Sequence, residues 1–154
     1  MILRKAVIGD IPVLTELRVS YLAEDYGTLP KESEEMIRRQ LPDYFRRSLD
    51  NGLLAYIAED NGCAAGCCML VVSEKPANPR FPHGLTGTVL NVYTKPEYRR
   101  QGIAAKLMEM LIADAKALGL DLIELKATPA GVKLYKSLGF EQDFSKYTGM
   151  KLVL

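Results

Sequence analysis

Leu90–Lys106 reads LNVYTKPEYRRQGIAAK, and the order of residue types in it decides how the rest of the chain is arranged. Leu90, Asn91, Val92, Tyr93 and Thr94 are β-branched, aromatic or apolar enough to form a strand, and Pro96, unable to donate a ladder hydrogen bond, ends it. From Gly102 onward Ile103, Leu107, Met110, Leu111, Ala115 and Leu118 recur at helical spacing, with Lys106, Glu109, Asp114 and Lys116 largely elsewhere on the wheel. Gly119 predicts the helix end. Gly102 has no Cβ and Ala104 and Ala105 are small, so a ligand can approach the first-turn backbone, while Arg99 and Arg100 offer charge-assisted hydrogen bonds. A turn glycine or an arginine pair is ordinary by itself; together at one helix start they predict a site for a phosphate-bearing ligand. The dinucleotide string G-x-G-x-x-G and the phosphate loop G-x-x-x-x-G-K-[ST] are both absent.

A second pattern follows. Leu122 to Ala127 is strand-like, Pro129 suits the first turn of a helix, and Val132, Tyr135 and Leu138 then share a face before Gly139 closes it. Taken alone, Tyr135 reads as a core aromatic.

These residues resemble a known family. Arg99, Gly102 and Ala104 stand in the pattern [RQ]-x-x-G-x-[GA], preceded by Val92-Tyr93-Thr94-Lys95-Pro96 and followed by Leu134-Tyr135-Lys136-Ser137-Leu138-Gly139-Phe140. This is similar to the GNAT superfamily of N-acetyltransferases, with both motifs in that family's order and spacing. The resemblance implies that the backbone of Val92, Tyr93 and Thr94 lines the pantetheine arm of acetyl-CoA. It implies that Arg99, Arg100, Gln101, Gly102, Ile103, Ala104 and Ala105 cradle the diphosphate, and that Tyr135 protonates the departing thiolate. Where many members carry an asparagine seven residues before that tyrosine, this chain has Thr128, whose hydroxyl can still cap a helix or hydrogen-bond the pantetheine.

Whole-chain numbers suit one ordinary domain: with 48% hydrophobic content the chain can build a complete core without disulfides or metals, and the resemblance makes it a single N-acetyltransferase domain over residues 1–154. Twenty basic against 19 acidic residues leave a formal charge of +1, which points away from nucleic acid and from anionic membranes as partners. The N-terminal MILRKAVIGD has charges inside its apolar run and no later segment approaches a membrane span, so the expected location is cytoplasmic. Cys63, Cys67 and Cys68 lack zinc-type spacing and read as buried reduced thiols; no metal is expected.

Elsewhere, Leu3 to Val7 predicts a first strand, after which Asp10 caps a helix with Pro12 in its first turn. A second helix from about Lys31 buries Ile37, Leu41, Phe45 and Leu49, with Pro42 expected to bend or interrupt it. Leu53 to Ala58 and Cys63 to Val72 form a hairpin through Asp60-Asn61-Gly62. Ser73 to Thr86, with three prolines, is an irregular excursion, and segments near Phe140 to Phe144 and Tyr147 to Leu154 are expected to close the sheet as a strand pair. The order β-α-α-β-β-β-α-β-α-β-β implies an α/β (α+β mixed sheet) domain, the order expected of the resembled family.

The resemblance implies acetyl transfer from acetyl-CoA to a primary amine of a small molecule or peptide, by direct attack in a ternary complex. A lysine-like amine of pKa about 10.4 must lose a proton first. Glu124 and Glu59 are both candidates for the base, and neither is assigned. Val92 is the position whose backbone N–H polarises the thioester carbonyl by resemblance. Tyr21, Tyr26, Tyr44, Phe81 and Tyr147 are candidate walls of the acceptor pocket. The rival from another class is a non-catalytic acyl-CoA-binding sensor on the same fold. Self-association into a homodimer is left open.

Overall fold

The computed structural model describes all residues, Met1–Leu154. In chain order its elements are β1 (Ile2–Lys5), α1 (Ile11–Tyr26), α2 (Lys31–Ser48), β2 (Leu53–Asp60), β3 (Cys63–Glu74), β4 (Leu85–Thr94), α3 (Ile103–Ala117), β5 (Leu122–Glu124) and α4 (Val132–Ser137). One five-stranded sheet runs β1-β2-β3-β4-β5, antiparallel as far as β4 and parallel between β4 and β5. This is the mixed α/β class expected, with the expected order as far as α4.

The near-continuous apolar runs of β2 and β3 follow from burial on both faces. Leu53, Ala55 and Ile57 alternate with Tyr56 and Ala58, and Cys67 and Met69 with Cys68 and Leu70. The first set packs with Leu14, Leu17 and Phe45 beneath α1 and α2; the second packs with Leu107, Met108 and Leu111 of α3. Each fully buried leucine contributes about 1.5–3 kcal/mol. Polar contacts fix how α3 lies across the sheet: Tyr56 Oη donates to Asp114 Oδ2 at 2.7 Å, and Lys5 Nζ reaches the same carboxylate at 2.9 Å.

Local chemistry sets the ends. Asn61 (φ 50°) and Gly62 (φ 79°) are both left-handed, as a two-residue hairpin turn requires. Past α3, Gly119 (φ 73°) donates to the Lys116 carbonyl and Leu120 to the Ala115 carbonyl, a Schellman closure.

Several expectations are corrected. The closing strand pair does not form: residues 141–154 are exposed and enter no ladder, because an alternating run becomes a strand only where an edge receives it. β5 stops at Glu124 rather than Ala127. Pro42 lies within α2, which continues to Ser48. Cys63 is exposed, while Cys67 and Cys68 are buried with thiols pushed up by desolvation, Cys67 to about 12. No helix is long and apolar enough to cross a membrane.

Asp10 precedes α1 but makes no side-chain cap to it. Its carboxylate accepts from Arg4 Nη1 at 2.7 Å, Arg4 Nη2 at 2.9 Å and the Val7 N–H at 2.8 Å, and Arg4 also holds Glu59 at 3.0 Å. The Arg4 hydrogen bonds hold Asp10 below the ordinary carboxylate range against the opposing effect of burial. A depressed pKa stabilises the fold above the unfolded value of about 3.9, and that stabilisation fades as pH falls through the folded value. Asp10→Asn should therefore cost about 1–2 kcal/mol at pH 7 in urea unfolding. The gap to the wild type should close in acid; a gap independent of pH would remove this account.

Candidate active site

β4 and β5 pair at three positions only, Thr86 with Leu122, Gly87 with Ile123 and Thr88 with Glu124. Beyond them β4 runs on to Thr94, while Leu125–Thr128 leaves the sheet, and a fork opens between the two segments. On its other side β4 carries a bulge: the register with β3 passes from Cys67–Tyr93 to Met69–Leu90, so Asn91 and Val92 stand opposite Cys68. Asn91 adopts φ 53°, which asparagine tolerates and β-branched residues do not. Its buried side chain is satisfied at both ends. Oδ1 accepts from Arg18 Nη1 at 3.2 Å and Nδ2 donates to Cys67 Sγ at 3.2 Å.

A cavity of about 830 Å³ lies at the mouth of the fork against the start of α3, and another of about 740 Å³ lies deeper along β4. They share Tyr21, Val92, Thr128 and Tyr135, so the two spaces meet at those residues. The first is lined by Val92, Tyr93, Thr94, Arg99, Arg100, Gly102, Ile103, Ala104, Ala105, Thr128 and Tyr135, all singled out in the sequence. Gln101 is the exception; it is exposed and is no part of the lining.

The α3 end of this cavity presents unpaired backbone donors and a cation, the chemistry that suits an anion. Gly102 precedes the helix at φ 75° with no side-chain cap, so the N–H groups of Ile103, Ala104 and Ala105 have no intrahelical acceptor. Nothing in the protein lies within 4 Å of where a Gly102 Cβ would stand; the left-handed turn is what calls for glycine there. The two arginines divide their work. Arg99 Nε donates to the Thr94 carbonyl at 2.9 Å, its Nη2 meets Glu24 at 2.6 Å, and its guanidinium lies 5.9 Å from the Tyr93 ring centre. It therefore staples the turn to β4 and α1, and Arg100, exposed at φ 65°, is the unpaired cation. Glu24 and Asp25 also line the cavity. Sequence reading missed both, because only the packing of α1 against β4 brings them there.

Tyr135 faces both cavities and also a third, of about 690 Å³, on the outer side of β5. Its orientation comes from the helix end. Gly139 at φ 94° donates to the Lys136 carbonyl, and Phe140 donates to the Tyr135 carbonyl at 3.0 Å, a second Schellman closure. The apolar contact that accompanies this motif is here Phe140 edge-on to the Tyr135 ring, with centroids 5.9 Å apart. Gly131 also stands close to the ring: a Cβ there would fall 2.9 Å from Tyr135 Cε2. Pro129, expected in the first turn of α4, lies in the turn before it. Burial pushes the Tyr135 phenol up to about 12.

Of the aromatic wall candidates, only Tyr21 borders the two joined cavities. Tyr26 borders a separate space between α1 and α2, Tyr44 packs on Phe45, Phe81 on Lys75, and Tyr147 is exposed. The two carboxylates considered for the base also separate. Glu59 is held by Arg4, whereas Glu124 lines the deeper cavity. Asn91 and Arg18 were missed; the available signal was an asparagine inside an apolar strand, which marks a bulge more often than a regular ladder position.

The sequence profile of the Acetyltransferase (GNAT) family matches residues 14–140. A protein of Clostridium acetobutylicum described as a predicted acetyltransferase and crystallised with acetyl-CoA superposes with a TM-score of 0.81 at 27% identity, over 97% of this chain and 95% of that one. A GCN5-related N-acetyltransferase from Ralstonia eutropha gives 0.81 at 23% identity, covering 97% of each chain. Glucosamine-6-phosphate N-acetyltransferase from Arabidopsis thaliana gives 0.70 at 19%, again over 97% of each. The last two likenesses bear on the fold.

Gly131→Ala places a methyl group against the Tyr135 ring, which must shift away from residue 131. The expected outcome is a displaced Tyr135 in the variant's crystal structure and a loss of about 1–2 kcal/mol in thermal unfolding. An unmoved ring would show that Gly131 does not set its position.

Proposed function

The chain belongs to the Acetyltransferase (GNAT) family, and from that premise we propose that it transfers the acetyl group of acetyl-CoA to a primary amine by direct attack in a ternary complex. The observation that carries the reading is the pair of cavities meeting at Val92, Thr128 and Tyr135: two substrates entering from different sides would bring their reactive atoms together there. In this reading the backbone of Val92 to Thr94 receives the pantetheine amides. The first-turn N–H groups of α3 with Arg100 receive the diphosphate, and Arg99 acts by holding the turn in place.

The chemistry then assigns three tasks. The acceptor enters as an ammonium and must give up a proton before its nitrogen can attack. In this reading Glu124, which lines the deeper cavity, takes it, directly or through a water. As the nitrogen bonds to the thioester carbon, the carbonyl oxygen becomes an oxyanion, which the Val92 N–H stabilises. Collapse of that intermediate breaks the carbon–sulfur bond and the nitrogen loses its second proton, so one proton ends on the sulfur and one on the base. Tyr135 supports the departing sulfur. A phenol of pKa about 12 stays protonated throughout the working range, but transfer to a thiolate whose acid has pKa about 8.5 is uphill. Tyr135 therefore serves chiefly as a hydrogen-bond donor to the developing negative charge, and the thiolate takes the second proton shed by the nitrogen, through water or through the phenol as it gives up one proton and receives another.

Calorimetry with acetyl-CoA followed by mass spectrometry of an amine panel tests the reading. Binding heat and acetylated product are expected; heat without product on any amine would favour the acyl-CoA-binding sensor, and no heat from folded protein would remove the reading. Arg100→Glu should weaken acetyl-CoA binding about tenfold by reversing charge beside the diphosphate. Tyr135→Phe should lower kcat about ten- to a hundredfold with the acetyl-CoA dissociation constant nearly unchanged. The wild-type pH profile should show no falling limb from this phenol below about pH 11, and an unaltered rate in the variant would remove its role.

A further inference from the structure

Among the arginines of this chain, Arg4, Arg38, Arg46, Arg80 and Arg99 are each matched to a carboxylate, and Arg39, Arg47 and Arg100, outside any ion pair, are exposed to water. Arg18 alone is both unmatched and withdrawn from solvent. It projects from α1 into the deeper cavity, where its guanidinium is aimed by one hydrogen bond to Asn91 Oδ1 at 3.2 Å and lies 5.7 Å from the centre of the Tyr21 ring. A guanidinium carries five N–H donors, and this one spends a single donor on a neutral acceptor. A partly buried cation without a counter-charge is costly unless a ligand supplies that charge.

Its place in the cavity narrows what the ligand is. Asn91 is the bulge residue directly before Val92, so Arg18 is anchored next to the junction of the two cavities. Glu124 lines the same space from β5. Of the other charged groups there, Asp143 is engaged by Arg80 at 2.7 Å, and Lys126 adds a second cation. The unengaged charges are thus two cations and one carboxylate, a pattern complementary to a molecule with one ammonium and an oxyanion close to it, and unfavourable to a polyamine.

Resting on the acetyl-transfer reading above, we infer that the acceptor is an amine bearing a carboxylate, such as a free amino acid, whose carboxylate is bound by Arg18 while its amine faces Glu124. Arg18 is then a specificity residue: it recognises the part of the acceptor that does not react. A free amino acid satisfies it; a peptide N-terminus, with an amide where the carboxylate would be, leaves it unmatched.

The test compares the standard amino acids with their carboxamides as acceptors for the whole protein, with acetyl-CoA binding followed separately by calorimetry. The expected result is that kcat/KM for the acid exceeds that for the matching carboxamide by about tenfold or more. Arg18→Met should erase that preference through KM, and Arg18→Lys should restore part of it. Equal kcat/KM for acid and carboxamide in the wild type, transfer to neither, or a preference that survives in Arg18→Met would overturn the inference while leaving acetyl-CoA binding standing. Failure of the wild type to bind acetyl-CoA would overturn the reading it rests on as well. The wild-type comparison needs no variant, so it decides the matter even if Arg18→Met does not fold.

Discussion

Everything at the cleft depends on β4 and β5 sharing so short a ladder. Three paired positions join them, and the bulge at Asn91 and Val92 then turns β4 as the chain beyond Glu124 departs. A longer ladder would have satisfied more backbone groups at the expense of the space between the segments. The bulge is stable because it is satisfied elsewhere: Asn91 accepts the left-handed conformation, and its buried amide is bonded on one side to Arg18 and on the other to Cys67. The opening is therefore held by particular side chains from α1 and β3 and is part of the packed fold.

Around that opening, two helix ends of opposite kind do different jobs. The start of α3 presents unpaired N–H groups on a left-handed glycine turn, a fixed positive field needing no side chain to move. The end of α4 closes on Gly139 and so presses Phe140 against Tyr135, and Gly131 leaves the ring room that a Cβ would take. Backbone geometry at two glycine-governed turns thus places both the free N–H groups of α3 and the Tyr135 phenol. Acidic side chains temper the positive end: Glu24 holds Arg99 in a bracing role, leaving Arg100 as the free charge at the rim.

Much of this was legible because it is local. The apolar spacing of α3, its closing glycine, the Asn-Gly hairpin and the grouping of Val92–Thr94 with Arg99–Ala105 all express short-range rules, and the structure gathers those residues, with Thr128 and Tyr135, around one cavity. Gln101 illustrates the limit: it sits inside the motif by position, yet points outside it. Pro42 and Asp10 show another. Proline's penalty in a helix was outweighed by the packing of Leu41 and Phe45, and the carboxylate expected to cap α1 found a stronger partner in Arg4. The tail beyond Phe140 has the composition of strands, but no edge in the chain accepts it.

By itself, the sequence determined most of the helices and strands as far as α4, the left-handed glycine turns at Gly62, Gly119 and Gly139, and the gathering of an arginine pair with a glycine turn at one helix start, since these follow from side-chain period, proline and glycine within a few residues of each other. Only the tertiary structure decided the fork between β4 and β5, the meeting of two cavities at Val92 and Tyr135, the division of labour between Arg99 and Arg100, and the arrival of Arg18 beside Asn91. Each of those joins residues distant in the chain, 73 positions apart for Arg18 and Asn91, and such a contact is set by how whole elements pack, which no local rule contains.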